Sequence, residues 1–302
     1  MKIKYTCTWK DPEKDIAYLE NWYRKIQELN GSFYERLNIL TSLGNTIVWS
    51  LNKGKTDLES LVIFPGFRTS AFFWDMENGL EEIKKHFRVF LIDTNGQPNM
   101  SDGNNPAIKT EAYGAWANEV ITQLGLTKTH VAGASFGGMV CMKLSMIAHE
   151  KIGKMILLNP AGLQAFSMKF TNLYFNVLPI IFPKRKNIIK FLDNVVFHPP
   201  QHDLPEVWKN LLIDFELHAI TRFKDKTDKP YAMREEEFKK IKNDTYLILG
   251  EKDILFPNKK SVKSAHKNLS TLKKMSIIPN AGHGIETHKE AMKIMLGNLN
   301  EK

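Results

Sequence analysis

Four short apolar runs constrain this chain more than any other feature: Leu61-Val62-Ile63-Phe64, Val89-Phe90-Leu91-Ile92, Thr129-His130-Val131-Ala132 and Met155-Ile156-Leu157-Leu158. They do not alternate strictly with polar residues, so each supplies apolar side chains to both faces of a sheet, the pattern of parallel strands covered on two sides. Helical periodicities fill the gaps between them, at residues 72–86, 111–124 and 136–149. Strand and helix in alternation predict βαβ crossovers on a doubly wound, mostly parallel sheet. Ahead of the first run, an amphipathic pattern at 16–29 leads into β-like stretches at 37–41 and 46–51. The turn signal Gly44-Asn45 lies between them, which predicts an antiparallel start to the sheet.

The alternation stops at Asn159-Pro160-Ala161-Gly162 and resumes with a strand at 245–250, a helix at 257–268, a strand at 274–278 and a helix at 285–299. Residues 163–241 between these blocks are rich in Phe, Leu, Ile and Lys and are interrupted by Pro183, Pro199, Pro200, Pro205 and Pro230. The expected organisation is an α/β core domain made of 1–162 and 242–302, with 163–241 inserted as a helical cap. The chain carries 42 Lys and Arg against 33 Asp and Glu, a net charge of +9. No Arg-rich stripe with interleaved aromatics accompanies that charge, so nucleic acid is not an expected partner. Cys7 and Cys141 have neither metal-binding nor redox spacing. The first residues, MKIKYTCTWKDPEKD, contain no apolar leader, and no run approaches the roughly 20 apolar residues of a spanning helix. A cytoplasmic protein without integral membrane association is expected.

Within this frame, Gly133-Ala134-Ser135-Phe136-Gly137 fits G-x-S-x-G between a buried strand and a helix, where a nucleophilic Ser sits on a sharp turn. Gly133 and Gly137 supply the room such a turn needs. A neutral hydroxyl requires a base, and the base an orienting group. His283, in Asn280-Ala281-Gly282-His283-Gly284, follows one strand; Asp253, in Gly250-Glu251-Lys252-Asp253, follows the strand before it. The order Ser135, Asp253, His283 completes a triad. Glu251 is the rival acid, His266 and His288 are weaker bases inside helical patterns, and Asn159 cannot supply charge. Backbone N–H groups of Phe67 and Phe136 are the expected oxyanion donors. Trp74, Phe166 and Met168 are candidate pocket residues. His198, His202 and Asp203 are not expected to hold a metal, because Pro199 and Pro200 prevent a regular helix from aligning them. The apolar stretch 173–182, followed by Lys184-Arg185-Lys186, resembles a membrane-surface segment, although a pocket-lining cap helix is the preferred reading.

These residues carry a resemblance to α/β-hydrolase fold enzymes over nearly the whole chain. The matching pieces are FPGF at 64–67, LIDTNGQPNMS at 91–101, GASFGG at 133–138, LILGEKD at 247–253 and NAGH at 280–283. In detail the chain is most similar to bacillar carboxylesterases, through EAYGAWANEVITQLGLTKTHVAGASFGG, ILLNPA and PYAMREEEFKKI. The resemblance implies ester hydrolysis through an acyl-enzyme, without a cofactor, on a small or medium apolar ester. One departure is that Pro65-Gly66 stands where the family usually has His-Gly, a change that keeps the backbone donor. An acyltransferase, a C–C or amide-bond hydrolase with the same triad, or a ligand sensor with little turnover remain open alternatives.

Overall fold

A computed structural model of the chain describes residues 1–301. Its centre is an eight-stranded sheet: β1 (Glu35–Thr41), β2 (Gly44–Leu51), β3 (Glu59–Phe64), β4 (Phe87–Ile92), β5 (Thr129–Ala134), β6 (Ile152–Leu158), β7 (Thr245–Gly250) and β8 (Leu272–Ile278). The spatial order is β8-β7-β6-β5-β3-β4-β2-β1. β1 pairs antiparallel with β2, and β2 with β4, while every other neighbour is parallel. The expected antiparallel start is present, but its turn lies at Ser42-Leu43, since Thr41 faces Gly44 across the ladder. Gly44, at φ 95, opens the second strand rather than the loop.

The four apolar runs behave as their composition demands. Leu61, Ile63, Val89 and Leu91 enter one hydrophobic core, and Val62, Phe64, Phe90 and Ile92 enter the other, so successive side chains feed opposite faces. Each fully buried side chain of this kind contributes about 1.5–3 kcal/mol. The helices are α1 (Pro12–Asn30), α2 (Ala112–Gln123), α3 (Phe136–Ala148), α4 (Phe170–Ile181), α5 (Arg185–Phe191), α6 (Glu206–Arg222), α7 (Asn258–Asn268) and α8 (Lys289–Asn300), joined by shorter turns. α1 begins at an Asp11 cap with Pro12 in its first turn and ends at Gly31, whose φ is 60. Its Trp22 donates from Nε1 to the Leu211 carbonyl at 2.8 Å and packs on Phe215, so α1 braces α6.

Two expected helices are broken, each for a visible reason. The pattern at 72–86 forms a 3₁₀ segment, Ala71–Asn78, and then only the short Ile83–His86. The Asp75 carboxylate takes the Leu80 N–H at 3.1 Å, which a continuous helix would give to Met76, and Glu77 and Asn78 turn to φ 52 and 57. Tyr34 Oη and Asn30 Nδ2 hold the same carboxylate. The pattern at 285–299 splits at His288, which leaves the 3₁₀ turn Ile285–Thr287 and caps α8 through its Nδ1.

The tightest packing joins β5 to α3. A Cβ at Gly133 would collide with the Gly137 backbone, and one at Gly137 with the Phe64 carbonyl at the end of β3. Gly137→Ala should therefore lower stability by about 1–3 kcal/mol, read as a lower urea midpoint, whereas Gly297→Ala, on an open face of α8, should leave it unchanged or slightly raised.

Candidate active site

Ser135 stands at the carboxyl end of β5 with φ 50 and ψ −114, a conformation that costs a residue with a Cβ and is kept by its surroundings. Three hydrogen bonds fix the turn: Ser135 N donates to the Leu158 carbonyl at 2.9 Å, while the Ser135 carbonyl accepts from Gly138 N at 3.1 Å and Ala161 N at 2.8 Å. Ser135 therefore stands at the N-terminus of α3, where backbone donors and the positive end of the helix dipole lie.

Asp253 and His283 meet at the ends of the next strands. His283 Nδ1 and Asp253 Oδ2 are 2.8 Å apart, with the aspartate side chain wholly enclosed and the histidine 11% exposed. Asp253 Oδ1 accepts from Leu255 N and Phe256 N at 2.8 and 3.0 Å, so the carboxylate is held at both oxygens. Glu251 is exposed and instead accepts from Asn280 N at 3.0 Å, away from the imidazole. Burial opposes the charged form of His283, but the Asp253 charge and hydrogen bond, with a smaller contribution from Glu286, outweigh it and hold its pKa above the ordinary value.

The loop after β3 lies against Ser135: a Cβ at Gly66 would stand 3.7 Å from Ser135 Cβ. Thr69 Oγ1 donates to the Gly66 carbonyl at 2.8 Å and Gln97 Oε1 accepts from Arg68 N at 2.7 Å, which brace the Pro65-Gly66 variant of this loop. Phe67 and Phe136 meet edge to face at 5.9 Å between ring centroids, and the Arg68 guanidinium lies 5.6 Å from the Phe67 ring centre. Phe166 packs edge-on against Phe256, which in turn packs against His283. Trp74 is fully enclosed, and its Nε1–H meets no acceptor among the described residues. Met168, by contrast, is 72% exposed, because the chain turns outward after Ser167 N bonds the Leu255 carbonyl. It stands on the surface rather than in an enclosed wall.

Sequence reasoning passed over three residues that shape this site. Asn159, set aside for lacking charge, is a tie: its Nδ2 donates to the carbonyls of Gly282 and His283 at 3.1 and 2.8 Å, and its Oδ1 accepts from Gly250 N at 2.8 Å. His202 accepts from Gly282 N at its Nδ1 and lies 3.1 Å from Thr287 Oγ1 at its Nε2. Burial pushes the His202 pKa down to about 3, which fits a neutral structural ring. Glu286 is buried beside the Asp253–His283 pair, and its pKa is raised, first by burial. Position immediately after the histidine loop was the available signal for Glu286; nothing in the spacing of His202 pointed to the loop it supports.

The family model described as the alpha/beta hydrolase fold matches residues 59–285. The chain belongs to the α/β-hydrolase fold family. It is 24% identical over 254 residues to carboxylesterase YbfK of Bacillus subtilis, covering 82% of this chain and 81% of that one. A second B. subtilis relative, the uncharacterized carboxylesterase nap, is 24% identical over 260 residues, 83% of this chain and 80% of the other. Among solved structures, the B. subtilis naproxen esterase superposes with a TM-score of 0.76 at 20% identity, covering 95% of this chain and 98% of that chain. No helix among the described residues is long and apolar enough to cross a membrane.

A further buried acid tests how this family member balances charge near the site. Glu216 on α6 is 7% exposed, and burial pushes its pKa up to about 7 against an opposing pull from Arg68. Between the unfolded value and about 7 the native chain keeps a proton that the unfolded chain has lost, so stability falls as pH rises through that window. The loss amounts to about 3 kcal/mol above it. Glu216→Gln should remove this slope: relative to the parent chain, the variant should gain Tm between about pH 5 and pH 8, measured by thermal unfolding at both.

Proposed function

We propose that this chain is a serine carboxylic ester hydrolase acting on small or medium apolar esters, with residues 163–241 as the cap over its site. The observation that carries the reading is the enclosed 2.8 Å Asp253–His283 pair at the same sheet edge as the strained Ser135 turn. The names of the relatives, carboxylesterases and a naproxen esterase, support an ester bond as the one cleaved.

In this reading Ser135 Oγ attacks the ester carbonyl carbon while His283 Nε2 takes the hydroxyl proton. Asp253 keeps the Nδ1–H tautomer in place and stabilises the imidazolium that forms. The developing oxyanion is received by the Phe67 and Phe136 N–H groups, of which each is worth about 2.7–4 kcal/mol of barrier. His283 returns its proton to the alkoxide, the alcohol leaves, and the acyl group stays on Ser135. Water then attacks the acyl-enzyme with His283 again as base, releasing the carboxylic acid and restoring the serine. In this reading the half-buried Phe67 and Phe166 receive apolar parts of the substrate, whereas Phe136 and Trp74 are enclosed in the two opposite cores and offer it no exposed surface. No step in this sequence calls for a metal or an organic cofactor.

A graded series of p-nitrophenyl esters tests the assignment. Ser135→Ala should lower kcat by about 10⁴-fold or more, and Asp253→Asn by about 10³–10⁴-fold with KM little changed; Glu251→Gln should behave as the parent. Equal rates for the parent and Ser135→Ala would remove the esterase reading, and a large loss in Glu251→Gln would move the acid.

The pH profile supplies a second test. His283 acts as base only when neutral, so kcat/KM should fall on the acid side through a pKa above the ordinary histidine value of about 6.5. The Glu286 charge contributes to that rise, and Glu286→Gln should therefore shift the acid limb to lower pH without abolishing turnover.

A further inference from the structure

Between Ser167 and Lys190 the chain inverts the usual distribution of apolar and polar side chains. Seven of the fourteen exposed large apolar residues among the described residues fall here: Met168, Phe170, Tyr174, Val177, Ile180, Ile181 and Phe182. Four of them, at positions 170, 174, 177 and 181, repeat at the four-three-four spacing of one α4 stripe. The inward side of the same helix buries Asn172, whose Nδ2 donates to the Ser167 carbonyl at 2.7 Å. The polar residue faces the protein and the apolar stripe faces out, so the stripe at 174, 177 and 181 does not line a pocket as the preferred sequence reading of 173–182 expected.

Charge surrounds that stripe with one sign. Residues 163–192 contain Lys169, Lys184, Arg185, Lys186 and Lys190 and no Asp or Glu. Arg185 pairs with Asp214 at 2.6 Å, while Lys169, Lys184, Lys186 and Lys190 are exposed without an acidic partner among the described residues. Cations flank both ends of α4, so two copies meeting through this stripe would bring like charges together in either direction. An apolar face ringed by unpaired cations is complementary to the headgroup and acyl boundary of an anionic bilayer.

We propose that residues 168–186 form a docking face that seats this protein on anionic lipid surfaces. The face continues directly from the site: Phe166 contacts Phe256, Phe256 contacts His283, and the outward turn follows two residues later at Met168. Docking would hold the rim of the Ser135 site against a reservoir of membrane-dissolved apolar molecules. The docking does not depend on the ester chemistry; its use in delivering lipid-soluble esters rests on the proposed function.

The test is co-sedimentation of the full chain with extruded vesicles of phosphatidylcholine alone and of equal parts phosphatidylcholine and phosphatidylglycerol. Binding is expected to the anionic vesicles, to weaken as salt is raised, and to fall by about tenfold or more in Lys184→Glu/Lys186→Glu. Phe170→Ser/Ile181→Ser should reduce it comparably on the same vesicles, and both variants should keep parental turnover of a water-soluble p-nitrophenyl ester. Absence of binding, or equal binding to both vesicle types, would overturn the proposal. So would a concentration-dependent dimer dissolved by Phe170→Ser/Ile181→Ser without vesicle binding, which would assign the stripe to a second copy. Vesicle binding by a parent chain that hydrolyses no ester would leave docking standing and remove the esterase reading alone.

Discussion

The end of β5, the start of α3 and the end of β3 meet where no side chain can stand, at Gly133, Gly137 and the Phe64 carbonyl. That contact lets α3 begin immediately after the strand, and the abrupt start forces Ser135 into its positive φ. The strain is sustained because the Ser135 N–H and carbonyl are bonded to Leu158, Gly138 and Ala161. Releasing the turn would break bonds in an enclosed part of the sheet, each worth about 0.5–1.5 kcal/mol. The position of Ser135, the proposed nucleophile, is thus a consequence of packing between core elements rather than of anything acting on its hydroxyl.

The same few residues after β6 organise the partner groups. Leu158 and Ala161 bond the Ser135 turn, while Asn159 between them bonds Gly250, Gly282 and His283. One short span therefore fixes the serine turn relative to both other loops. The His283 loop has a second support from residues 195–202, since His283 N and Gly284 N donate to the Val195 and Val196 carbonyls, and Gly282 N donates to His202. A change in the packing of that segment reaches the His283 loop through three backbone donors. α1 in turn braces α6 at Leu211 and, through Arg222 and Asp15, at its end.

What was readable in the sequence divides along the range of the interactions involved. The sheet was legible because Val62 and Ile63, or Phe90 and Leu91, must face opposite cores, a local fact of composition. The positions of Ser135, Asp253 and His283 just beyond strand ends were legible because the turn signals around each are local as well. The break at Asp75 was not, since it depends on Tyr34 and Asn30 reaching a carboxylate from distant positions. Asn159 and His202 escaped for the same reason: the partners of Asn159 lie 91 to 124 positions away and the Gly282 partner of His202 lies 80 away. Met168 was misplaced because an apolar residue beside a site reads as lining it, and sequence cannot tell an inward turn from an outward one.

The two acids beside His283 act on it unequally. Asp253 has every geometric reason to be there: it accepts from two backbone N–H groups and faces Nδ1 directly. Glu286 contributes a smaller effect in the same direction from a buried position. In the proposed mechanism a base with a raised pKa accepts the serine proton more readily, but a smaller fraction of it is neutral as the medium becomes acidic. The desolvation of His283 works against both acids by favouring the neutral ring. For the proposed base, enclosure favours the neutral ring while the Asp253 carboxyl 2.8 Å from Nδ1 makes it stronger, and both demands are met by the same nearly buried imidazole.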